Sequence, residues 1–389
     1  MHNPCRVNMI STNFFGAGAI ELLRGEIMKK GFRKALVITD SFLFESKVAD
    51  QICTELAGAG VHSFIYYGVK PNPTVEIVNE ALSVAADIKP DFIVALGGGS
   101  AIDTCKAVGI VLANGGRVED YEGVNKSSEK SLPVVAVNTT AGTGSEVTTF
   151  YVITDEKRHS KMVMVDINCS VWIAINDTNL MKSMPQSLTA ATGMDAMTHA
   201  IEAVLSNEAT PFTDKDALWA ITAIKEHLPR AVKNGDDMNS REMMAYAQYS
   251  AGLAFSNAGL GMVHAMAHSL GGFYNLPHGV CNAVLLPHVM EFNAGDEKTH
   301  YDFKKIYGAL ELKGASYSSR ASVAQTINEI KKLSHEVGIP ASLSDLGVRE
   351  EDFRALAELA LQDTCMPSNP VKPTIDQIID VYRKAWKKR

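Results

Sequence analysis

The chain has 389 residues and an ordinary globular composition, with 46% hydrophobic and 21% charged residues. Its formal net charge of -7 disfavours a nucleic-acid or anionic-membrane partner, because a surface gains nothing by approaching another of its own sign. No apolar run approaches the roughly 18 residues of a membrane span, and the N-terminus lacks a signal-type pattern, so we expect a cytosolic protein.

The six cysteines lie far apart and form no CxxC pair. This spacing indicates reduced, mostly structural thiols and no disulfide framework or zinc knuckle. The cysteines are Cys5, Cys53, Cys105, Cys169, Cys281 and Cys365. The basic tail from Arg383 to Arg389 is interpreted as the solvated end of a helix.

Short apolar runs alternate with helix-period segments in the first half of the chain, which predicts βαβ units and a mainly parallel sheet. The predicted strands are 34–39, 62–67, 91–96, 133–138 and 171–175. Two further strand-like runs, 150–154 and 161–165, flank a polar segment and predict an antiparallel hairpin.

Three glycines at 97–99 follow one predicted strand at once and precede Ser100 and a helical run over 101–112. Glycines let a backbone approach a diphosphate closely, and the start of a helix offers free amides and a positive dipole end. A plain tight turn is the alternative, and Ser100 is expected to cap the helix in either case. A second small-residue loop, 139–145, follows another strand, so two such loops together predict phosphate binding.

Asp40 ends the first predicted strand, where its carboxylate can accept hydrogen bonds from a ribose diol and would repel a 2'-phosphate. NAD is therefore favoured over NADP, and a turn aspartate before Ser41 is the alternative. Gly16 and Gly18 lack a third glycine and a preceding strand of adequate length. They are not interpreted as a dinucleotide-binding fingerprint.

After Pro185, β-branched runs give way to Ala, Met and Leu at helical spacing. We therefore predict an α/β domain over 1–183 and an all-helical domain over 184–389. Ser183 is expected to cap the first helix of the second domain, with Pro185 in its first turn. Because no long linker separates the two domains, a cleft between them is the expected place for chemistry.

A carboxylate and several histidines recur at helical spacing in the second domain. Asp195 and His199 are four residues apart, so both project from one face of a helix. His264 and His268 repeat this spacing, and His278 follows beyond a Gly-Gly pair and an Asn-Leu-Pro turn. A single buried histidine is most often a core residue, but an unpaired carboxylate on this apolar face would cost several kcal/mol. A metal ion would remove that cost.

Three neutral imidazoles and one carboxylate suit a first-row divalent ion such as Fe, Zn, Co or Ni and argue against Mg or Ca. Ligand type alone does not choose among those four ions. The spacing is not HExxH, so no metalloprotease is indicated.

These residues together resemble the iron-containing, or group III, alcohol dehydrogenase family, and the similarity runs almost end to end. The stretches that carry the resemblance are 97–106 (GGGSAIDTCK), 139–147 (TTAGTGSEV), 188–203 (LTAATGMDAMTHAIEA) and 255–287 (FSNAGLGMVHAMAHSLGGFYNLPHGVCNAVLLP). Within the family the chain is most similar to lactaldehyde reductases and short-chain primary alcohol dehydrogenases. The resemblance implies a Rossmann-like NAD-binding domain followed by an all-helical metal-binding and catalytic domain, a two-domain fold similar to that of dehydroquinate synthase. It also implies a homodimer or larger assembly.

The resemblance also implies roles for individual residues. The catalytic metal, iron with zinc as the alternative, is expected to bind Asp195, His199, His264 and His278, with His268 near the cofactor. By matching position, the residues expected to line the NAD site are Asp40, Asn72, Gly98, Gly99, Ser100, Asp103, Thr140, Thr143, Val152, Lys161 and Leu180. Phe150 and Phe255 are expected to make the substrate pocket narrow and apolar, which disfavours a diol or hydroxyaldehyde.

The implied reaction interconverts short-chain primary alcohols and aldehydes by hydride exchange with the nicotinamide of NAD. His268 is the candidate proton relay, and a partner that merely orients His264 or the ribose is the alternative. Three competing hypotheses remain: specific lactaldehyde reductase activity, a lyase of the dehydroquinate synthase type, and a non-catalytic binding protein. A lyase acting on an anionic substrate would need added Lys and Arg, and the segment 252–267 is too apolar for that.

Overall fold

The computed structural model describes residues 6–10, 12–314 and 320–387. Within them the chain divides into two compact units. The α/β unit comprises the described residues of Asn8–Thr140 and Ser145–Ser183. The helical unit comprises residues 6–7, Ala141–Gly144 and the described residues from Met184 onward. Cys5 and the last two residues of the basic tail lie outside the described residues.

The α/β unit is built on strands. They are β1 (Thr12–Phe15), β2 (Lys34–Asp40), β3 (His62–Val69), β4 (Phe92–Gly97), β5 (Gly123–Val124), β6 (Val134–Asn138), β7 (Phe150–Asp155), β8 (Ser160–Val165) and β9 (Ile173–Asn176). The order β1-β9-β6-β4-β2-β3 forms an all-parallel sheet, and β5-β8-β7 form a smaller one in which β7 and β8 are antiparallel. The helices of this unit are α1 (Leu23–Met28), α2 (Ser41–Glu45), α3 (Val48–Gly58), α4 (Val75–Ile88), α5 (Gly99–Asn114) and α6 (Thr178–Met181).

The central strands β2, β4 and β6 are almost continuously apolar, as expected of parallel strands covered on both faces. Val37, Val94 and Val135 are fully buried, and each such side chain contributes about 1.5–3 kcal/mol to stability. Because the strands are parallel, their carboxyl ends lie at one edge of the sheet. The loops that follow β2, β4 and β6 therefore share that edge.

The predicted strands are confirmed within two residues at each end, and so is the antiparallel hairpin. Two strands escaped prediction: the two-residue β5, and β1, which pairs with β9 and directly precedes Gly16. The expectation that no adequate strand precedes Gly16 is therefore wrong. An edge strand of four half-buried residues has only one neighbour, so it needs no apolar run in the sequence.

The helical unit contains α7 (Gln186–Leu205), α8 (Pro211–Lys233), α9 (Met238–Ala258), α10 (Met262–Tyr274), α11 (His278–Asn293), α12 (His300–Ala309), α13 (Arg320–Glu336), α14 (Phe353–Gln362) and α15 (Ile375–Trp386). Its described part has no strand, so the predicted fold class is confirmed. None of the described helices combines the length and the apolarity that a bilayer crossing requires. Every cysteine within the described ranges is a free thiol.

Two expected helix caps are wrong. Helix α7 begins at Gln186 after an extended Pro185, so neither Ser183 nor another side chain caps it. Helix α5 begins at Gly99 with an extended Gly98 before it, which places Ser100 inside the first turn instead of at the cap. The first amides of α5 consequently have no side-chain cap, which suits a helix start that receives a ligand.

Candidate metal centre and nucleotide site

Four predicted ligand residues come together in the helical unit. Helix α7 carries Asp195 and His199 one turn apart, α10 carries His264, and α11 begins at His278. One ligand atom from each residue lies within 4.8 Å of the other three. Asp195, His199 and His264 are buried, and His278 is partly exposed. Residues from three helices thus form a single cluster with one side more open than the others.

The distances within this cluster fit a metal ion. The Nε2 atoms of His199, His264 and His278 lie 3.9, 3.9 and 3.6 Å from Asp195 Oδ1, too far for hydrogen bonds. Two ligands bound tetrahedrally to one ion at about 2.1 Å are about 3.4 Å apart. The donor set of three imidazoles and one carboxylate therefore fits a first-row divalent ion in both chemistry and spacing.

The electrostatics of the cluster favour the metal-binding form of His199. Burial lowers the pKa of His199 to about 4, against the opposing influence of Asp195. The imidazole is therefore neutral near pH 7, and a neutral ring nitrogen is what a metal requires. Asp195 supplies the carboxylate of the cluster, and its side chain is 3% exposed.

Asn282 also belongs to this centre, although it was not among the residues predicted from the sequence. Its Nδ2 lies 2.7 Å from Asp195 Oδ1, 3.0 Å from His264 Nε2 and 3.1 Å from His278 Nε2. The amide nitrogen therefore lies within hydrogen-bond distance of three of the four predicted ligand atoms. Its position one helical turn after His278 was the signal available in the sequence.

Glu202 was also missed. It lies on α7 three residues after His199, and its Oε2 is 2.6 Å from His264 Nδ1. Burial raises the pKa of Glu202 to about 7, although backbone amides of the neighbouring α10 start act in the opposite direction. The spacing from Asp195 through His199 to Glu202 places all three on one face of α7, which was a usable signal.

His268 lies beside the ligand cluster and not in it. Its ring stacks on His278 with 5.2 Å between centroids, and its Nδ1 is 2.8 Å from Asp363 Oδ2. Burial alone would raise the pKa of Asp363, but His268 and the backbone amide of Cys365 hold it below its usual range. His268, Asp363 and Cys365 form a second compact group.

Gly279 allows α7 and α11 to approach each other closely beside the cluster. A Cβ on Gly279 would clash with the carbonyl of Ala191 and lie 3.3 Å from Asp195 Cβ. We expect Gly279→Ala to reduce the free energy of unfolding by about 1–3 kcal/mol, because the obstacle is backbone that cannot rotate away. The same shift displaces His278 from Asp195, so metal affinity should also fall.

Gly308→Ala is the matched control, because a Cβ there meets nothing within 4 Å and Gly308 lies inside α12. Alanine should leave this variant unchanged or stabilise it by up to about 1 kcal/mol. Urea unfolding and metal titration of both variants decide the matter. Equal free energies of unfolding and equal metal affinities in the two variants would show that the close approach at Gly279 contributes to neither stability nor metal binding.

The predicted nucleotide residues of the α/β unit gather at the carboxyl edge of the large sheet. Asp40 ends β2, the 98–100 segment follows β4 and Thr140 follows β6. Asn72 and Leu180 follow β3 and β9, two further strands that end at this edge. Asp40 also caps α2, because one of its oxygens accepts a hydrogen bond from Leu43 N at 2.8 Å. The turn interpretation of Asp40 is therefore correct for that oxygen.

Glycine is required at position 98 by its neighbour. A Cβ there would lie 2.7 Å from Thr140 Cγ2 and 2.8 Å from Thr140 Oγ1. The loop after β4 thus packs against the loop after β6, with the uncapped start of α5 at the same place. Close backbone packing and free amides are the features by which a helix start binds a diphosphate.

Helix α5 also fixes the chain from Ser145 to Val152. Asp103 accepts hydrogen bonds from Ser145 Oγ at 2.5 Å and from Val152 N at 3.0 Å. Lys106 is fully buried, and its Nζ donates to the carbonyls of Ser145, Thr148 and Phe150 at 2.6, 2.9 and 2.7 Å. Both Asp103 oxygens are thus engaged by protein groups, and the helix that starts at the glycines also holds β7 in place.

Four further predicted site residues are divided between the two units: Phe150 and Lys161 lie in the α/β unit, and Thr143 and Phe255 lie in the helical unit. Lys161 on β8 donates to Asn72 Oδ1 at 2.8 Å, and Asn72 has a positive φ of 54°. Thr143 lies in the short segment that groups with the helical unit. Phe255 on α9 stacks on His199, with 4.3 Å between ring centroids. Phe150 begins β7.

Two family models match this chain and together cover most of it. The family described as iron-containing alcohol dehydrogenase matches residues 11–178, and the Fe-containing alcohol dehydrogenase family, C-terminal, matches residues 189–386.

The relatives match along nearly the whole chain. Alcohol dehydrogenase 4 of Schizosaccharomyces pombe is 44% identical over 375 residues, which span 96% of this chain and 87% of that protein. Lactaldehyde reductase of Escherichia coli K12 is 42% identical over 384 residues, 98% of this chain and 99% of that protein. Among solved structures, a 1,3-propanediol oxidoreductase superposes with a TM-score of 0.94 at 41% identity, covering 99% of this chain and 100% of the other.

Proposed function

Because this chain belongs to the iron-containing alcohol dehydrogenase family, we propose that it interconverts short-chain primary alcohols and aldehydes. It is an NAD-dependent oxidoreductase, and its family implies a bound metal and NAD(H). The observation that carries the proposal is the convergence of three imidazole Nε2 atoms on one buried carboxylate oxygen. We assign the metal to Asp195, His199, His264 and His278.

The cofactors supply the reactive chemistry and the chain positions it. When bound, the metal would supply Lewis-acid chemistry toward the oxygen of the alcohol or aldehyde, and NAD would supply the hydride exchange. Asp195 balances the charge of the ion, and the buried, apolar surroundings keep competing water away from the reacting carbon.

We assign the proton exchange to His268. Its Nδ1 is 2.8 Å from Asp363 Oδ2, and the pKa of Asp363 lies below its usual range. The carboxylate therefore holds the Nδ1 proton, and Nε2 is left as the atom that can take up the alcohol proton. Asp363 orients His268 in the same arrangement.

For NAD we propose the carboxyl edge of the large sheet, with the diphosphate at the 98–100 segment and the adenosine ribose at Asp40. Thr140, Lys161 and Leu180 are proposed to line the same site. Asp103 and Val152 are hydrogen-bonded to each other, which supports a role for Asp103 in shaping the site.

The charge of Asp40 is expected to select NAD over NADP. Asparagine at this position keeps an oxygen for the Leu43 amide and removes the charge, so the cap survives while the repulsion of a 2'-phosphate disappears. We expect Asp40→Asn to reduce the preference for NAD by about tenfold, equivalent to roughly 1.4 kcal/mol. The ratio of kcat/KM for the two cofactors measures this preference.

Asp50→Asn is the matched control for that experiment, because Asp50 is exposed on α3 and pairs only loosely with Lys47 at 3.8 Å. Its cofactor preference should equal that of the unmodified protein. An unchanged preference in the Asp40 variant would remove Asp40 from the nucleotide site.

Iron as the metal, the homodimer and the cytosolic location remain predictions. Assays of the metal-stripped protein reloaded with Fe(II) or Zn(II) test both the ion and the substrate. The informative panel is ethanol, 1-propanol, 1,2-propanediol and 1,3-propanediol, each with NAD. We expect turnover of simple primary alcohols, and the apolar Phe255 disfavours the 1,2-diol. The proposal fails if no primary alcohol or aldehyde supports turnover with any metal.

A further inference from the structure

A histidine binds a metal through a ring nitrogen that carries no proton. The hydrogen-bond partner of the other ring nitrogen determines which of the two nitrogens carries the proton and which is left to bind the metal. His264 faces the ligand cluster with Nε2 and faces away from it with Nδ1. Its ring is 1% exposed, so water does not compete for either nitrogen. The protein groups around the ring therefore determine where its proton sits.

Two hydrogen bonds agree on the position of that proton. Glu202 Oε2 lies 2.6 Å from His264 Nδ1, and in its ionised form, the one present in alkaline buffer, this carboxylate can only accept. On the opposite side, Asn282 Nδ2, which can only donate, lies 3.0 Å from His264 Nε2. Both contacts require a proton on Nδ1 and a free lone pair on Nε2. This is the tautomer that can bind a metal at the cluster.

Glu202 is itself held in place. Its Oε1 accepts the backbone N–H of Val263 at 2.7 Å, and its side chain is 5% exposed. The same carboxylate therefore joins α7, which carries Asp195 and His199, to the first turn of α10, which carries His264. The two carboxylate oxygens leave Glu202 little freedom to turn away from His264.

We propose that Glu202 is a positioning residue for the metal centre, which fixes the tautomer and the orientation of His264 and thereby sets the metal affinity. The proposal depends on the metal centre assigned above. Glu202 contacts His264 through Nδ1 and contributes no ligand atom to the four-residue cluster. Such outer carboxylates typically change metal affinity by roughly 10- to 100-fold when they are lost.

Glutamine is the sharpest replacement for Glu202. It has nearly the same size, but its NH2 group must face either His264 Nδ1 or the Val263 amide. If it faces His264, the ring proton moves to Nε2 and occupies the metal-binding position. If it faces Val263, two donors oppose each other and the link to α10 is lost. Both outcomes weaken metal binding while the core volume is unchanged.

Metal affinity and the position of the His264 proton are the readouts. Protein stripped by a chelator in alkaline buffer is titrated with Zn(II) in competition with a chelator of known affinity. The 15N chemical shifts of the metal-free protein report the His264 tautomer, and a His264→Ala variant identifies its signals. Thermal unfolding of each metal-free variant reports folding.

We expect Glu202→Gln to raise the Zn(II) dissociation constant by roughly 10- to 100-fold. Glu202→Asp, which retains the charge on a shorter side chain, should restore part of the affinity. The charge-matched control Glu226→Gln, on an exposed residue of α8, should bind as the unmodified protein does. The 15N shifts should show the proton on Nδ1 in the unmodified protein.

Unchanged affinity and an unchanged tautomer in a folded Glu202→Gln protein would overturn the proposal. If Glu202→Gln does not fold, Glu202→Asp is the deciding variant. The proposal is also overturned if a folded Glu202→Asp protein binds Zn(II) with full affinity while its His264 proton lies on Nε2. If instead the unmodified protein binds no Zn(II), the metal centre of the proposed function fails, which is a separate outcome.

Discussion

Replacing Asp195 with asparagine is expected to lower kcat/KM for a primary alcohol by on the order of 10³-fold, because a Lewis acid lowers the barrier by several kcal/mol. Asp195 is the carboxylate of the ligand cluster, and three imidazoles face its Oδ1 at 3.6 to 3.9 Å. Asparagine keeps the shape and removes the charge that balances the ion. Metal content and steady-state kinetics measure the two consequences.

The metal-free Asp195→Asn protein should be at least as stable as the unmodified one, because the variant removes a buried charge. Loss of activity is then attributable to the metal and not to unfolding. Asp214→Asn is the control in the same helical unit, since Asp214 pairs with Lys305 at 2.9 Å and lies outside the ligand cluster. Full activity of a metal-loaded Asp195→Asn protein would contradict the assignment of Asp195 as a ligand.

Replacing Lys106 with methionine is expected to reduce the free energy of unfolding by about 3 kcal/mol or more. The ammonium group is fully buried and donates to three backbone carbonyls between Ser145 and Phe150. Methionine fills nearly the same space but leaves those carbonyls without a donor, at about 1–3 kcal/mol for each. Urea unfolding measures the loss.

NAD binding should weaken in the same Lys106 variant, because Lys106 and Asp103 together hold the chain that leads into β7. Lys130→Met is the control, since Lys130 is exposed in the same α/β unit and a surface change there should stay within about 0.5 kcal/mol. Equal stabilities of the two variants would mean that the three carbonyl contacts of Lys106 contribute nothing.

The sequence predicted the buried strands because their signal is strong and local. Runs such as that around Val94 and Val135 are apolar throughout, and parallel strands covered on both faces require this pattern. Strand β1 has a different composition, since it lies at an edge and is half-buried. The two serine caps at 100 and 183 were wrong because extended Gly98 and Pro185 precede those helices and no side chain caps them.

Asp195 and His199 could be anticipated from their helical spacing, whereas the family resemblance was needed to choose His264 and His278 and to leave out His268. The partners of the ligands were harder to find. Asp363 is 95 residues from His268 in the chain, so only the fold brings them together. Glu202 lies on the predicted face of α7, but a glutamate in a helix is common and its contact with His264 spans 62 residues. Spacing within one helix was therefore enough to predict neighbouring side chains, whereas contacts between helices could not be predicted from the sequence.

One titration tests the central claim most directly. Protein stripped of metal is mixed with NAD and 1-propanol, Fe(II) is added stepwise without oxygen, and the initial rate of NADH formation is followed by absorbance. We expect the stripped protein to have no activity and its rate to rise to a plateau at a single equivalent of Fe(II) per chain. We expect Asp195→Asn to show no response to Fe(II). A stripped protein that is already fully active, or an equal response from Asp195→Asn, would contradict a metal centre at Asp195, His199, His264 and His278.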